Sequence, residues 1–201
     1  MRAIKTLVLA SGNAGKLREF NDLLHGLNVD VKPQSEYQVP EAVEDGLTFV
    51  ENAIIKARNA CKHSGLPAIS DDSGLEVDAL NGAPGIYSAR YSGPNATDEQ
   101  NNAALLKALK DTPEHLRTAR YQCVLVFMRH ALDPTPIICQ GSWEGSILTQ
   151  PQGDGGFGYD PIFWVPSHQI ACAKLNKEQK HSISHRGKAL AALITQLKAH
   201  I

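Results

Sequence analysis

The sequence predicts an α/β fold, because strand and helix patterns alternate along the chain and one pair of strands is joined by a short turn. Residues 4–10 are a continuous apolar run typical of a buried strand, and a glycine-containing loop and a helical pattern follow directly. Residues 48–64 show a capping box and an apolar helical stripe that ends before a glycine. Residues 120–129 and 137–148 predict two long strands, and the prolines between them predict an antiparallel pair.

Three further expectations concern the middle of the chain. Residues 75–80 alternate enough to predict a strand of their own. Thr97 and Gln100 predict the cap of another helix, with Ala104, Leu105, Ala108 and Leu109 facing inward. Trp143 is expected to pack in the core or at an edge rather than to stack on a base.

Length, charge and cysteine spacing restrict the class of protein. The 201 residues suit one large domain or two small lobes, and they suffice for a substantial core. The 20 Lys and Arg residues balance 21 Asp and Glu residues, which predicts no basic face for nucleic acid. The four cysteines form no C-x-x-C pair, so neither a zinc site nor a disulfide framework is predicted. The absence of a transmembrane-length apolar run and of a secretory signal favours the cytosol and no membrane partner.

Two adjacent carboxylates at the end of an apolar run are the strongest candidates for chemistry. A short strand is expected to end at Ser70, and Asp71, Asp72, Ser73 and Gly74 follow. Side chains alternate across a strand, so at most one aspartate continues its inward face, while the other turns toward the region beyond the strand end. Two carboxylates there suit a hard cation such as Mg²⁺, which leaves room for phosphate oxygens. The alternative is an acidic turn closed by Gly74.

The loop after the first strand predicts an anion site. Strand, glycine loop and helix direct free backbone N–H groups and the positive helix end at an anion, and Lys16 supplies a cation at the helix start. The spacing differs from a Walker A loop, because only two residues separate the glycines and Leu17 follows the lysine. The alternative is a tight turn with an exposed lysine. The loop consists of Ser11, Gly12, Asn13, Ala14, Gly15 and Lys16.

Polar residues on the helix at 48–64 have two interpretations. Glu51, Asn52 and Lys56 could lie on the flank that faces the site. Charged helical positions more often form a solvated face, and this second interpretation is favoured here. The loop before the helix carries three further carboxylates, Glu41, Glu44 and Asp45.

A second glycine cluster, residues 152–163, predicts a loop that binds a flat ligand. Its glycines let the backbone approach closely while Phe157 and Tyr159 stack on the ligand. The alternative is a glycine-rich loop whose aromatic rings fill the core, and composition alone does not decide between them.

Basic residues precede the last apolar helix. Lys180, His185 and Arg186 together suit recognition of a nucleobase edge or a phosphate. His181 and His185 have an i, i+4 spacing that is compatible with a metal. The segment lacks an H-E-x-x-H glutamate and a nearby third ligand, so a zinc site is not favoured.

Together these segments resemble one family, the inosine/xanthosine triphosphate pyrophosphatases, which hydrolyse deaminated purine nucleoside triphosphates. Each motif alone is weak, but the motifs occur in the family's order and span nearly the whole chain. The tyrosine at position 159 resembles the bacterial branch, since eukaryotic relatives tend to have tryptophan there. The motifs are residues 11–16, 70–75 with 82–90, 155–161 and 184–187.

The resemblance implies a fold, a cofactor and a partner. It implies that residues 1–201 form a single domain with an elongated α/β fold, in which a mixed sheet with flanking helices forms two lobes around a central cleft. It also implies a homodimer and a requirement for Mg²⁺. The implied reaction cleaves ITP, dITP or XTP between the α- and β-phosphates and yields a monophosphate and pyrophosphate.

The resemblance also implies residue roles, position by position. Asp72 would be the general base, near or on the metal, and Glu44 would help to hold Mg²⁺. The loop at 11–16 would cradle the triphosphate, with Ser73 beside it. Phe157 would stack on the purine. Its pocket would be lined by Gly158, Tyr159 and Asp160, and the base would be read by Lys180, His185 and Arg186.

These roles give a physical account of selectivity. Hypoxanthine and xanthine carry an O6 acceptor to which Arg186 or Lys180 can donate, whereas adenine presents a donor at that position. Sites built on such hydrogen bonds can discriminate by about 10⁴ or more. Guanine also carries O6, so its exclusion must depend on its 2-amino group.

Three competing functions are weaker. The related septum-inhibitor-type nucleotide pyrophosphatases share the general fold, but the motifs at 157–160 and 184–186 argue against them. A nucleotide sensor that binds without hydrolysis is disfavoured by the intact carboxylates Asp71, Asp72 and Glu44. A phosphoryl-transferring kinase is disfavoured by the departure from the Walker A pattern.

Overall fold

The computed structural model of the protein describes residues 4–12, 16–17, 20–21, 24 and 29–198. Within these ranges, seven strands form one sheet. The strands are Thr6–Leu9 (β1), Asp30–Pro33 (β2), Ala68–Val77 (β3), Thr118–Met128 (β4), Ile137–Ile147 (β5), Phe163–Val165 (β6) and Ile170–Ala171 (β7).

The sheet is mixed, with the spatial order β2-β1-β3-β4-β5-β6-β7. β1 pairs in parallel with β2 and with β3, whereas β6 pairs antiparallel with β5 and β7. β4 and β5 are neighbours, and residues 129–136 between them are too few for a parallel crossover, in agreement with the predicted antiparallel pair. The predicted α/β class is confirmed, while the elongated outline and the central cleft stay predictions.

Three α-helices begin directly after a capping side chain. Among the described residues after β2, four α-helices have the bounds Phe49–Ser64 (α1), Asp98–Ala108 (α2), Lys177–Ile183 (α3) and His185–Leu197 (α4). The N-cap side chains of Thr48, Thr97 and Asn176 each accept a hydrogen bond from a backbone N–H in the first turn. Between β1 and β2 the predicted helix is supported by the helical residues Lys16, Leu17, Phe20, Asn21 and Leu24.

The chain divides into two compact units, and the first has a core on each face of its part of the sheet. Leu7 and Leu9 of β1 pack in one cluster with Ile69 of β3. Val8, between them in sequence, packs in the other cluster with Ala57 of α1, as strand alternation requires. The segments of this unit are Met1–Asp72, Cys123–Gln140 and Ala189–Ile201.

The second unit comprises Ser73–Gln122 and Gly141–Lys188 and has a core of its own. Leu105 of α2 and Trp143 of β5 are buried in it, which confirms that the tryptophan packs in the core. Ala108, predicted to face inward, is exposed because it lies at the C-terminal end of α2. The description of residues 1–201 as a single domain stays a prediction.

Candidate active site

The two adjacent aspartates lie inside a strand rather than after one. β3 runs without interruption through Ala68–Val77, so the predicted strand end at Ser70 and the predicted separate strand at 75–80 are both wrong. A ten-residue strand can include two carboxylates here because each of them has a lysine partner. After Val77, a 3-10 helix over Asp78–Leu80 replaces the end of the predicted strand.

Strand alternation sends the two carboxylates to opposite faces of β3. Asp71 Oδ1 accepts from Lys16 Nζ at 2.6 Å, whereas Asp72 Oδ1 accepts from Lys56 Nζ of α1 at 2.7 Å. Ser70 Oγ donates to the Ala53 carbonyl of α1, so Ser70 and Asp72 share the face that packs on α1. Asp72 is therefore the aspartate that pairs directly with Lys56, while Asp71 pairs with Lys16.

Two carboxylates converge on the Lys56 ammonium. Lys56 Nζ lies 2.7 Å from Asp72 Oδ1 and 3.1 Å from Glu44 Oε2. Burial raises the pKa of Asp72, and the Lys56 charge opposes that rise only in part. For Lys56, burial lowers the pKa, but Asp72 and the neighbouring acids outweigh burial, so the pKa is raised. A cation is thus already present where two carboxylates meet.

Lys56 shows where sequence reasoning was wrong about α1. The favoured interpretation placed Asn52 and Lys56 on a solvated helix face, but Asn52 is fully buried and accepts from the Gly46 backbone N–H at 2.9 Å. Lys56 follows Asn52 by four residues and so lies on the same side of the helix. That spacing beside the buried Ala53 and Ala57 was the available signal.

A pocket of about 250 Å³ lies in the first unit at this group. Predicted residues contribute Ser11 and Gly12 after β1, together with Lys16 and Glu44. Asn13, Ala14 and Gly15 of the predicted phosphate loop lie outside the described residues. The sequence did not single out Gln34 or Ala42 for this lining. The full lining consists of Ala10, Ser11, Gly12, Lys16, Gln34, Glu41, Ala42, Glu44, Lys56 and Asp71.

The donor set fits Mg²⁺ better than it fits a metal held by protein alone. Among the described residues, no group of three or more His, Cys, Asp or Glu side chains is arranged to hold a metal ion. Mg²⁺ is commonly bound by one or two carboxylates together with phosphate oxygens and water. Glu44 and Asp72, which already meet at the charge of Lys56, match that requirement.

The second unit holds a separate group around Asp160. This carboxylate is buried and accepts from Tyr121 Oη, the Phe157 backbone N–H, Cys172 Sγ and Lys180 Nζ. Burial raises the pKa values of the Tyr121 hydroxyl and the Cys172 thiol, which keeps both protonated as donors. All the lone-pair directions of Asp160 are thus used by the protein itself.

The loop between Gln152 and Asp160 presents one aromatic ring and buries the other. The Phe157 side chain is 61% exposed, with Lys180 Nζ 4.4 Å from its ring centroid. Tyr159 is buried, and its hydroxyl donates to the Ser88 carbonyl at 2.8 Å. Gly156 has a φ of 81°, and a Cβ there would collide with the Asp160 carboxylate. Phe157 is therefore the ring that a flat ligand can reach.

Ser184 separates α3 from α4, and the next two residues face the second-unit core. The His185 ring stacks on Tyr121 at a centroid distance of 4.8 Å and an interplanar angle of 13°. Arg186 is nearly buried, and its Nη2 donates to Ser73 Oγ at 3.3 Å. Gly187 permits the close approach, because a Cβ there would collide with the His181 carbonyl.

The predicted site residues thus form two groups, each within one unit. The first-unit group consists of the predicted residues Ser11, Gly12, Lys16, Glu44 and Asp72, which the structure extends by Lys56 and Asp71. The second-unit group consists of Ser73, Phe157, Gly158, Tyr159, Asp160, Lys180, His185 and Arg186.

Comparison with known proteins identifies the family. Residues 7–196 match the Ham1 family. This chain belongs to the Ham1 family. It is 60% identical over 195 residues to a Vibrio cholerae protein named dITP/XTP pyrophosphatase, covering 97% of this chain and 98% of the relative. A Salmonella paratyphi A protein of the same name is also 60% identical, covering 97% and 99%.

Solved structures of Ham1 proteins have the same fold. The Ham1 protein of Coxiella burnetii superposes with a TM-score of 0.94 at 51% identity, covering 98% of this chain and 100% of that one. The Ham1 protein of Staphylococcus aureus gives a TM-score of 0.90 at 41% identity, again covering 98% and 100%. The resemblance recognised from the motifs is confirmed, as is the α/β fold. Across the described ranges, no helix is both long and apolar enough to cross a membrane.

Proposed function

We propose that this chain hydrolyses deaminated purine nucleoside triphosphates, namely ITP, dITP and XTP, to a nucleoside monophosphate and pyrophosphate. The observation that carries the proposal is the convergence of Glu44 and Asp72 on one cationic point beside the pocket that follows β1. The names of the 60% identical relatives support the same reaction. Such a reaction removes deaminated purines from the nucleotide pool.

Asp72 is the proposed general base. Burial raises its pKa, so its carboxylate takes up a proton more readily than an exposed aspartate does. A base that orients and deprotonates the attacking water contributes about 10²–10⁴-fold to the rate. Asp71 lies on the other face of β3 with Lys16 and is not assigned this role.

Glu44 and Asp72 are the proposed ligands of Mg²⁺. When bound, the ion would neutralise charge on the triphosphate oxygens and polarise the phosphorus that is attacked. Lys56 can then turn from the carboxylates to the phosphates, since its flexible ammonium has three donors.

The first-unit group is proposed to bind the triphosphate. Gly12 and Ser11 follow a strand and precede helical residues, which is the arrangement that directs backbone N–H groups at an anion. Lys16 adds a positive charge at the same pocket. Ser73, which accepts from Arg186, is proposed to lie beside the phosphates, and Asn13, Ala14 and Gly15 stay predictions for the loop.

The second-unit group is proposed to bind the base. Phe157 offers an exposed ring for stacking, with the Lys180 ammonium beside it. Lys180 and Arg186 donate to O6 of hypoxanthine or xanthine, a position at which adenine would present another donor. Gly158 and Tyr159 line the pocket, His185 reads the base edge, and Asp160 contributes by holding Lys180 and the loop. The homodimer and the cytosolic location stay predictions.

Product analysis tests this function. Purified protein with Mg²⁺ would be given ITP, dITP, XTP, GTP and ATP separately, and monophosphate with pyrophosphate would be distinguished from diphosphate with phosphate. Monophosphate and pyrophosphate from the first three substrates, with little from GTP or ATP, is the expected result. Equal turnover of all five would contradict the base-reading assignments. Tight binding without turnover would favour a sensor instead.

A further inference from the structure

The backbone of Gly158 is held from both sides by one helix. Its N–H donates to Asp98 Oδ2 at 2.6 Å, and its carbonyl accepts from Asn102 Nδ2 at 3.0 Å. Asp98 and Asn102 are four residues apart on α2 and therefore lie on the same face of the helix. Asp98 and Asn102 together form the Gly158 clamp.

The clamp fixes a residue whose backbone conformation needs outside support. Gly158 has a φ of 62°, a conformation that glycine adopts easily but also leaves easily. The preceding residue is Phe157, whose own N–H donates to Asp160 Oδ2 at 2.9 Å. The backbone on both sides of the Phe157 side chain is thus fixed by carboxylate and amide groups, while the ring itself stays exposed.

The helix that carries the clamp is itself firmly placed. Thr97 and Gln100 form a reciprocal capping box at its start. The Asn101 side chain bonds to the backbone of Ala89 and Ser92, which fixes a second loop to the same turn. The clamp therefore transmits the position of a rigid element to a glycine-rich loop.

The hydrogen bond to Gly158 is the main interaction of the Asn102 side chain. It is nearly buried, and its Oδ1 has no hydrogen-bond partner within the part of the chain that the structure describes. A buried amide with one unused acceptor costs free energy. Among its hydrogen bonds to described residues, the one to Gly158 is what offsets this cost.

We propose that Asp98 and Asn102 are positioning residues that hold the Phe157 ring ready to stack on the purine. This inference rests on the proposed function, because it concerns the same base site. A ring held in its bound conformation loses little further entropy when a base arrives, so the clamp lowers KM for a nucleotide. It has no such effect on a ligand without a base.

The test uses three variants of the first turn of α2. Asp98→Ala removes the acceptor of the Gly158 N–H, whereas Asp98→Asn retains a side-chain oxygen at the same position. Glu99→Ala is the matched control, because Glu99 is also an exposed acid of the first turn but does not contact Gly158. KM and kcat for ITP are measured together with the inhibition constant of inorganic tripolyphosphate, which has no base.

Asp98→Ala is expected to raise KM for ITP about tenfold, the lower end of the effect of a hydrogen bond to a charged group. The inhibition constant of tripolyphosphate should be unchanged, and Asp98→Asn should restore most of the affinity for ITP. An unchanged KM in Asp98→Ala, an equal rise in Glu99→Ala, or an equal rise in the tripolyphosphate constant would each overturn the proposal.

Amide hydrogen exchange over residues 153–160 gives a readout that does not depend on turnover. Exchange in this loop should be faster in Asp98→Ala than in the wild type and in Glu99→Ala, because a local opening no longer has to break the Asp98 bond. Unchanged exchange would refute the clamp even in an active enzyme. Absence of ITP hydrolysis by the wild type would instead refute the proposed function, and the exchange measurement would still decide on the clamp.

Discussion

Asp72 in the first unit and Asp160 in the second are both carboxylates paired with a lysine, yet their surroundings differ. Asp160 accepts from four protein donors, two of which are a phenol and a thiol that burial keeps protonated. Among the described residues, the Asp72 side chain accepts only from Lys56. The number of protein donors, rather than the presence of a lysine, distinguishes the two sites.

This difference indicates which carboxylate can exchange partners. Asp160 has no lone pair to offer without breaking a hydrogen bond inside the protein, and an unmade bond at a buried group is costly. Asp72 and Glu44 can replace the flexible Lys56 ammonium with another cation, because each keeps unused oxygen lone pairs. This contrast supports the proposed chemical role of Asp72 and favours a structural role for Asp160.

The largest effect is expected for Asp72→Asn. The substitution removes the proposed base and one metal ligand, so kcat for ITP should fall by about 10³-fold or more. The melting temperature should change little, because Glu44 still pairs with Lys56 and burial already disfavours the charged form of Asp72. Steady-state kinetics and thermal unfolding of the same preparation measure both quantities.

Asp71→Asn is the matched control for that substitution. It removes the neighbouring carboxylate, which lies on the other face of β3 and pairs with Lys16. A smaller loss of kcat is expected. A larger loss in Asp71→Asn than in Asp72→Asn would reverse the roles of the two aspartates.

Asp160→Asn should mainly lower the stability of the protein, in contrast to Asp72→Asn, which should mainly lower kcat. The substitution leaves Lys180 without its anion and turns an amide toward a donor, which costs about 2 to 3 kcal/mol for a partly buried pair. Denaturant unfolding at neutral pH measures the free energy of unfolding. Wild-type stability with abolished turnover would assign Asp160 a direct chemical role and would remove the contrast with Asp72.

The smallest effect is expected for Arg186→Ala. This variant should raise KM for ITP by about tenfold and reduce the preference for ITP over ATP, since one donor to O6 is lost. The ratio of kcat/KM for the two substrates is the quantity to measure. An unchanged ratio would move recognition of O6 to other residues, with Lys180 as the next to test.

Local signals in the sequence predicted the fold more successfully than the contacts within the site. The caps at Thr48 and Thr97 were predictable because their partners are three residues away. The continuation of β3 past Ser70 was not, because it depends on Lys16 and Lys56, which are distant in sequence from Asp71 and Asp72. Local turn propensity favours a break at two aspartates, and the tertiary ion pairs override it.

The same limit applies to the second unit. Phe157 and Asp160 were recognisable from their motif, but the donors to Asp160 come from separate strands, helices and loops of the unit. Asp98 and Asn102 carried no sequence signal beyond a capped helix, because their shared partner Gly158 is more than 50 residues away. Sequence patterns predict helices and strands, whereas hydrogen bonds between residues distant in sequence become visible only in the folded structure.

Calorimetric titration of a divalent cation into the protein with a non-hydrolysable ITP analogue tests the central contrast most directly. Wild type and Asp160→Asn, the latter at a temperature where it is folded, should bind Mg²⁺ with similar affinity. Asp72→Asn should bind it about tenfold or more weakly, since half of the protein ligands are lost. Unchanged Mg²⁺ affinity in Asp72→Asn would contradict the assignment of Asp72 as the carboxylate that exchanges its lysine for a metal.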